Sequence, residues 1–297
     1  MSNEQKTKIL VIVGPTASGK SALALELAQK YNGEIISADS RQVYRGLDIG
    51  TGKEKFPQHL VDVADVTEDY NVSDFVRDAQ KVIEEITARG HLPIIVGGTG
   101  FWVDSLVYGY ELPEVKPSKE LRDELETKTT GELFAQLQKL DLQRSKHIDK
   151  HNRRRLIRAI EIVTTTKKAI KPLYLAVHSA VEPLSKYDAL WIGIKVPKEE
   201  LGGKIAARLD QWFEQGLIEE TKRIPHAERF GLEYAVIAKF LKGEIDEPTM
   251  RADSLRSIIQ YAKRQMTWFK RNENIRWVAD VGDAENIISL FLDLQHR

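Results

Sequence analysis

The feature that most constrains the fold is the segment Gly14–Ser21, GPTASGKS, which fits the pattern G-x-x-x-x-G-K-[ST]. The apolar run TKILVIVG precedes it, and SGKSALALELAQKY, which has a helical pattern, follows it. A buried strand that runs through a glycine loop into a helix binds phosphates, because backbone N–H groups and the helix N-terminus converge on the phosphate oxygens. Lys20 would place a cation on the phosphates, and Ser21 would offer its hydroxyl to Mg²⁺. The loop binds any adjacent pair of phosphates, so it leaves the reaction open.

The first hundred residues alternate between strand-like and helix-like segments. GEIISAD and QHLVDVAD predict a second and a third strand, and LPIIVGGTG predicts a buried strand that ends in glycines. Residues 73–90 predict a helix that Ser73 caps and Gly90 ends. Its apolar face consists of Phe75, Ala79, Val82 and Ile86. This order of elements predicts a parallel α/β sheet with right-handed crossovers.

A change of composition near residue 112 indicates an insertion. The segment LPEVKPSKE contains two prolines and several charges, and residues 117–178 are polar and helical in pattern. Strand character returns in ALWIGIKVP, residues 189–197, and IRWVAD near the end predicts a last strand. The sequence therefore predicts an α/β fold with a P-loop parallel-sheet core, residues 1–114 and 180–297, and a helical insertion domain, residues 115–179.

Composition argues against several classes of protein. The chain has no cysteine, which excludes disulfides and thiolate metal sites and agrees with a reducing compartment. The seven histidines are scattered with no HExxH-like spacing, and the N-terminus lacks the apolar core of a signal peptide. No apolar run approaches the roughly 18 residues that span a bilayer. We therefore expect a soluble, cytoplasmic monomer without membrane contact.

Opposite charges balance overall but are segregated along the chain. The totals are 44 basic and 44 acidic residues, yet residues 141–171 contain ten Lys or Arg against three acids. Residues 251–277 contain seven basic residues against two acidic ones. Two cationic blocks indicate binding to nucleic acid. The alternative is a solvated helical face with local counter-charges, and charge alone leaves both open.

Two polar side chains follow predicted strands at the same edge of the sheet as the glycine loop. Asp39 ends the strand EIISAD, and Thr99 lies in GGTG after the strand that contains PIIV. Ligands of parallel sheets bind outside the carboxyl ends of the strands. Asp39 could hold Mg²⁺, act as a base on an acceptor, or cap the next segment. GGTG alone is a weak signal.

The segment ADSLRSIIQYAKRQMTWFKR predicts an amphipathic helix with a basic polar face. Its apolar positions are Leu255, Ile259, Ala262, Met266 and Phe269. Another face contains Gln260, Lys263, Thr267 and Lys270, with Arg264 and Arg271 beside it. Such a face could dock against phosphates, and a plain surface helix is the alternative. We expect Trp268 to be packed rather than stacked on a base.

Several of these segments together resemble one family. GPTASGKS, SADSRQVYRGLDIGTGK, YNVSDF, PIIVGGTGFW, RRRLIRAIEI and AKRQMTWFKR occur in the order found in bacterial tRNA dimethylallyltransferases, and the resemblance covers roughly residues 8–278. The resemblance implies a P-loop fold with a helical insertion that helps bind the anticodon stem-loop, and a requirement for Mg²⁺. It also implies transfer of a five-carbon prenyl group from dimethylallyl diphosphate to the exocyclic amine of the adenosine just 3′ of the tRNA anticodon. The glycine loop would then hold a leaving pyrophosphate.

The resemblance assigns roles to individual residues. Asp39 matches the family's carboxylate that orients the amine and takes its proton, and Thr99 is the second implied catalytic residue. The implied diphosphate-binding residues are Gly14, Pro15, Thr16, Ala17, Ser18, Gly19, Lys20, Ser21 and Arg208, and Ser21 would also bind Mg²⁺. The implied tRNA contacts are Asp39, Ser40, Arg41, Gln42, Thr99, Arg122, Arg154, Arg155, Leu156, Ile157, Arg158, Lys263, Arg264, Gln265, Thr267, Trp268, Lys270 and Arg271.

The chain departs from the family pattern at a few positions, and other interpretations stay open. Lys204 stands where arginine is common, Trp212 where methionine is common, and GLEYAVIAKF, residues 231–240, replaces a more frequent GYR run. An isopentenyltransferase acting on free adenine nucleotides would share the loop and Asp39 but would have less need of two cationic blocks. A small-molecule kinase using ATP would use the same loop. A non-catalytic RNA-binding protein would not need Lys20 and Ser21 beside Asp39.

Overall fold

The structure, a computed structural model, describes residues 6–110, 112–113, 115, 118–170 and 185–293. Its contacts divide the chain into two compact units. The first contains Met1–Val107 and Ser185–Arg297, and the second contains Tyr108–Leu184. Residues 114, 179 and 180, at which the sequence analysis divided the chain, lie outside the described residues.

The first unit is built on a parallel sheet of five strands in the order β2-β3-β1-β4-β5. The strands are β1 (Thr7–Val13), β2 (Gly33–Ser37), β3 (Leu92–Gly97), β4 (Tyr187–Ile194) and β5 (Ile275–Val278). β1 pairs with β3 on one side and with β4 on the other, and every pairing is parallel. The predicted α/β fold class is therefore confirmed, and the carboxyl ends of β1, β2 and β3 meet at one edge.

The described residues of both units also form helices. They are α1 (Lys20–Lys30), α2 (Val72–Ala88), α3 (Gly100–Tyr108), α4 (Lys119–Glu126), α5 (Thr130–Leu140), α6 (Leu142–His147), α7 (Arg153–Thr166), α8 (Lys198–Glu214), α9 (Leu217–Arg223), α10 (Leu232–Leu241), α11 (Glu247–Phe269) and α12 (Val281–Asp293). A short 3-10 helix, Ala227–Phe230, lies between α9 and α10.

The core of the first unit lies between the sheet and the helices that follow β1 and β5. Leu10 and Ile12 of β1 pack in one cluster with Leu27 of α1 and Ile288 of α12, and all four are almost fully buried. Burial of a side chain of this size stabilises the fold by about 1.5–3 kcal/mol relative to leaving it exposed. The same strand ends in the glycine loop, so this packing fixes the base of the loop.

The helix predicted over residues 73–90 is α2, and its ends differ from the prediction. Asn71, not Ser73, is the N-cap, and it forms a capping box with Asp74. Phe75, Ala79 and Ile86 are buried as predicted, but Ile83 is buried in place of Val82. Burial of Ile83 instead of Val82 means that the buried face of α2 is rotated slightly about the helix axis from the predicted one.

The third strand predicted in QHLVDVAD does not form. His59 and Ala64 make only isolated bridges, to Ile36 and Tyr44. Leu60 and Asp62 adopt left-handed φ angles of 62° and 59°. Left-handed backbone interrupts an extended strand, so the alternating apolar residues do not produce a ladder here.

The second unit contains the four helices α4 to α7 around a small apolar core. Its buried residues are Leu125, Leu133, Leu137, Leu156, Ile157, Ala159 and Ile160. Arg153, at the start of α7, pairs with Glu126 at 2.9 Å and donates to carbonyl oxygens at the end of α4. A cation at the C-terminus of a helix is favourable, because unpaired carbonyls carry partial negative charge there.

Candidate functional site

The glycine loop leaves several N–H and O–H donors free. Ala17 and Gly19 adopt left-handed φ angles of 60° and 88°, which turn the chain from β1 into α1. The N-cap of α1 is Gly19, which offers no side chain to the N–H groups of the first turn. The hydroxyl of Ser18 is buried, and no partner for it exists within the described residues. Unsatisfied donors at a helix N-terminus form a site for an anion.

Two cations lie at this loop. Burial, together with the nearby Arg208, lowers the pKa of Lys20 to about 8, while Asp39 and Glu54 oppose the shift. Burial also lowers the pKa of Arg208. Lys20 Nζ donates to Pro15 O at 3.3 Å, and neither cation forms an ion pair within the described residues. A desolvated lysine whose charge is disfavoured by a neighbouring arginine is arranged for an anionic ligand.

Arg208 reaches the loop from α8. Its Nη1 lies 3.5 Å from the Thr16 hydroxyl, and its guanidinium lies 4.6 Å from the ring centroid of Trp212. Gly52 makes room for it, since a Cβ there would lie only 1.7 Å from Arg208 Nη2. Trp212, which departs from the family pattern, therefore supports the arginine by a cation–π contact.

Asp39 has two oxygens with different surroundings. Oδ1 accepts hydrogen bonds from the backbone N–H groups of Arg41 at 2.9 Å and Gln42 at 3.4 Å. Oδ2 has no hydrogen-bond partner within the part of the chain that the structure describes. Asp39 favours the charged forms of both Lys20 and Arg208, which places it beside the anion site. It therefore caps its own turn with one oxygen and keeps the other open.

Thr99 joins the ends of β2 and β3. Its Oγ1 accepts from the Ser40 N–H at 3.0 Å, and its own N–H donates to Ala38 O at 3.3 Å. The residue after Asp39 is thus held against the GGTG segment. Asp39, Thr99 and the glycine loop come together at one edge of the sheet, as the strand order requires.

An open cavity of about 620 Å³ lies beside the loop. It is lined by the loop at Ala17 and Gly19, by the segment Asp48–Glu54 and by α8, including Arg208. Lys204, a second departure from the family pattern, lies at this cavity and pairs with Glu200 at 3.1 Å. The cavity is large enough for a small organic diphosphate.

Arg41 and Gln42, two of the predicted tRNA contacts, have side chains that bond within the protein. Arg41 Nη1 pairs with the fully buried Glu233 at 2.5 Å. Gln42 donates to Thr51 O at 3.1 Å and accepts from the Ser37 hydroxyl at 2.8 Å. Both side chains are used to hold the segment after Asp39, so the structure does not leave them free for RNA.

The basic helix near the C-terminus is α11, and its buried face was predicted one position out of place. Ala262 and Phe269 are buried as expected, but the other buried positions are Met250, Ser254, Ile258 and Gln265. Leu255, Ile259 and Met266 are only partly buried. The predicted polar positions Gln260, Lys263, Thr267 and Lys270 are exposed, and so are Arg264 and Arg271.

Gln265 and Trp268 point into the protein rather than toward RNA. Gln265 Nε2 donates to Gly98 O at 3.0 Å, and its Oε1 accepts from the Thr16 N–H at 2.8 Å. Trp268 Nε1 donates to Asp104 Oδ2 at 2.8 Å. The packing expected of Trp268 is confirmed, and the tRNA contacts predicted for Gln265 and Trp268 stay predictions.

The predicted tRNA contacts of the second unit fall into two groups. Leu156 and Ile157 are buried in its core, so their side chains cannot reach RNA. Arg122 and Arg158 both pair with the buried Glu161, at 3.0 Å and 2.6 Å, and are thereby held in place. These four residues have structural roles within the second unit, and their predicted contacts with tRNA stay predictions. Arg154 and Arg155 are exposed, and neither forms an ion pair within the described residues.

The sequence analysis did not identify two acidic residues, Glu220 and Glu233, that hold segments of the site in place. Glu220 accepts from the backbone N–H groups of Asp48, Ile49 and Gly50 at 2.7–3.1 Å, and from the Tyr234 hydroxyl at 2.6 Å. Glu233 forms the ion pair that holds Arg41, and burial raises the pKa of the Glu233 carboxyl. A glutamate within a helix gives no sequence signal for a role of this kind.

Two features are absent from the described residues. No group of three or more His, Asp or Glu side chains there could by itself hold a metal ion. None of the described helices combines the length and the apolarity needed to cross a bilayer.

Comparison with family models gives two matches. One described as IPP transferase covers residues 42–272, and one described as Isopentenyl transferase covers residues 7–64. Together they include the glycine loop, Asp39, the GGTG segment, α8 and α11.

Individual relatives agree with these models. A tRNA dimethylallyltransferase 2 from Treponema denticola is 42% identical over 296 residues, which cover 94% of this chain and 98% of that protein. A tRNA dimethylallyltransferase 1 from Geotalea uraniireducens is 40% identical, with 95% and 97% covered.

Solved structures give the same result. The full-length tRNA isopentenylpyrophosphate transferase of Bacillus halodurans is 33% identical, with a TM-score of 0.72 over 98% of this chain and 100% of that chain. A eukaryotic dimethylallyltransferase acting on tRNA is 25% identical, with a TM-score of 0.76 over 98% and 80% of the two chains.

Proposed function

The chain belongs to the tRNA dimethylallyltransferase (IPP transferase) family, and from this we propose how its residues carry out the reaction. The enzyme transfers a dimethylallyl group from dimethylallyl diphosphate to the exocyclic amine of the adenosine on the 3′ side of the tRNA anticodon. The bond between the allylic carbon and the diphosphate oxygen breaks, a bond to the amine nitrogen forms, and diphosphate and a proton are released.

The observation that carries this proposal is the pair of partly buried cations, Lys20 and Arg208, at the glycine loop. Arg208 and burial lower the pKa of Lys20, burial lowers the pKa of Arg208, and no carboxylate forms an ion pair with either within the described residues. Cleavage of an allylic diphosphate concentrates negative charge on the leaving oxygens. Preorganised cations and N–H donors stabilise that charge where it develops, and such stabilisation is commonly the largest part of catalysis.

Asp39 is suited to act on the amine. An adenine amine is a poor nucleophile, because its lone pair is delocalised into the ring. A carboxylate within hydrogen-bond reach can orient the amine and take its proton as the new C–N bond forms. The free Oδ2 of Asp39 is available for this, while the turn contacts of Oδ1 fix the carboxylate in one orientation.

We also propose that Mg²⁺ is required, with Ser21 as its protein ligand. The Ser21 hydroxyl makes no hydrogen bond within the described residues. Mg²⁺ commonly takes only one or two protein oxygens and completes its shell with phosphate oxygens and water, so the sparse donor set fits this ion. When bound, Mg²⁺ would stabilise the negative charge of the leaving diphosphate.

The RNA is proposed to bind to exposed cations on each unit. On α11 these are Lys263, Arg264, Lys270 and Arg271, and in the second unit they are Arg154 and Arg155. Contacts of this type position a nucleic acid through its phosphates. The target adenosine must leave its stack to reach Asp39, as in other enzymes that modify bases.

We propose that the protein works in the cytoplasm as a monomer. The absence of cysteine agrees with a reducing compartment.

A single incubation tests the function. Purified protein, Mg²⁺, unmodified tRNA and dimethylallyl diphosphate are combined without ATP, and the nucleosides are then examined by mass spectrometry. A prenylated adenosine supports the proposal. Its absence, together with ATP-dependent phosphorylation of an acceptor in a parallel reaction, would return the chain to the kinases.

Two controls sharpen this experiment. Lys20→Met should abolish product, because it removes a cation from the diphosphate site. Free adenine nucleotide replaces tRNA in a second control. Product from the free nucleotide, without product from tRNA, would favour the isopentenyltransferases that act on small acceptors.

A further inference from the structure

Gln265 is the one side chain of α11 that bonds to two separate loops of the site. Its amide accepts from the Thr16 N–H and donates to Gly98 O, and these partners lie 249 and 167 positions away in sequence. Only 5% of Gln265 is exposed. A buried amide whose donor and acceptor are both used is fixed in one orientation.

The glycines of the GGTG segment allow this close approach. A Cβ on Gly98 would lie 2.0 Å from Gln265 Nε2, and a Cβ on Gly100 would lie 2.2 Å from Trp268 Cδ1. Contacts of that length are sterically excluded for real side chains. The segment therefore lies directly against α11, which explains why glycine is present at both positions.

The bonds of Gln265 connect the parts that must act together. Thr16 belongs to the phosphate loop, and its hydroxyl is the atom that Arg208 approaches. Gly98 precedes Thr99, which holds the residue after Asp39. The amide of Gln265 thus fixes the anion site relative to the proposed base. A displacement of about 1 Å between reacting groups can reduce turnover about a hundredfold.

We propose that Gln265 is a positioning residue that sets the separation between the phosphate loop and the Asp39–Thr99 side of the site. This role rests on the proposed function, because it concerns the same reaction. It assigns Gln265 to the alignment of donor and acceptor and not to contact with RNA.

Two substitutions test the two hydrogen bonds of Gln265. Gln265→Met has a similar volume and removes both. Gln265→Glu introduces a carboxyl that, when neutral, can accept from the Thr16 N–H and donate to Gly98 O. Once ionised, it faces Gly98 O without a proton. The matched control is Ile258→Val, which alters the same buried face of α11 at a side chain that has no hydrogen-bonding group.

We expect Gln265→Met to lower kcat at least tenfold and to raise KM for dimethylallyl diphosphate, with the Kd for tRNA changed less than threefold. The measurement is made at a temperature at which circular dichroism shows every variant folded. For Gln265→Glu we expect the activity relative to wild type to be highest near pH 6 and to fall toward pH 8.5. The nearby titratable groups Tyr261, Asp39 and Lys20 are common to both proteins and cancel in this ratio.

Two outcomes would overturn the inference. One is activity in Gln265→Met that falls only as far as in Ile258→Val. The other is a constant ratio of Gln265→Glu to wild type across the pH range, since a purely packing role has no use for the proton. If Gln265→Met does not fold, the pH ratio of Gln265→Glu decides alone. Wild-type protein that makes no prenylated tRNA would instead refute the proposed function.

Discussion

The binding of the diphosphate should depend on pH through Lys20. Burial and Arg208 lower the pKa of Lys20 to about 8. A bound diphosphate would favour the charged lysine and raise that pKa. Affinity is therefore fully present below pH 8. It falls as the pH rises from 8 toward the higher pKa of the complex.

The size of the effect follows from the fraction of Lys20 that is protonated. With a pKa of about 8, that fraction is about 0.9 at pH 7 and about 0.1 at pH 9. The Kd for dimethylallyl diphosphate should therefore rise about tenfold between these values. Binding above pH 8 should also take up close to one proton.

Isothermal titration calorimetry without tRNA measures both quantities. Titrations with dimethylallyl diphosphate and Mg²⁺ at pH 7, 8 and 9, in two buffers of different ionisation enthalpy, give the Kd and the number of protons bound. Lys20→Arg keeps a cation that does not titrate in this range, so it reports the ionisation of the ligand alone. Lys204→Met removes an exposed lysine of the same cavity and should keep the wild-type dependence.

A flat Kd in the wild type would refute this reasoning. So would a rise of equal size in Lys20→Arg, because the titrating group would then belong to the ligand or to another part of the site. In either case the titration of Lys20 would not be what sets the affinity for the diphosphate between pH 7 and 9.

Three other substitutions test separate parts of the structure. Asp39→Asn keeps the oxygen that caps the turn but cannot take a proton. It should therefore reduce turnover about as strongly as Asp39→Ala and leave the Kd for tRNA nearly unchanged. Turnover like that of the wild type in Asp39→Asn would rule out the base role. Replacing Arg154 and Arg155 by Gln should reduce the magnitude of the slope of log K against log salt for tRNA binding by about 1.5, with Lys139→Gln as the control. An unchanged slope would favour the alternative that these arginines lie on a solvated helical face that does not contact RNA. Glu220→Ala leaves buried N–H groups without an acceptor and should reduce the free energy of unfolding in urea by about 3 kcal/mol or more; a loss below about 1 kcal/mol would show that the loop finds other partners.

The parts of the fold that follow local rules were predictable. The glycine loop between β1 and α1 carries its own sequence signal, and the buried strands are continuous apolar runs. The strand expected over residues 58–65 was wrong, because periodicity does not reveal that Leu60 and Asp62 adopt left-handed φ angles. Side-chain pattern and backbone conformation are separate constraints, and here the backbone prevails.

The buried face of α11 shows a second limit. A hydrophobic pattern assigns apolar residues to the inside, yet Ser254 and Gln265 are buried on this helix. Gln265 is inside because its amide finds partners on two loops that are distant in sequence. Burial of a polar group is favourable only when it is hydrogen-bonded, and such partners are visible only in the folded chain.

Counting charges has a related limit, and it bears directly on RNA binding. In the second unit, Arg122, Arg153 and Arg158 are held by Glu126, Glu161 or backbone carbonyls. An arginine that is already paired inside the protein releases few counterions when RNA binds. The number of cations in a basic segment therefore overstates its contribution to tRNA affinity. The salt slope of this protein should reflect the exposed, unpaired cations, which makes that slope a more direct test of the RNA-binding surface than the total charge of either block.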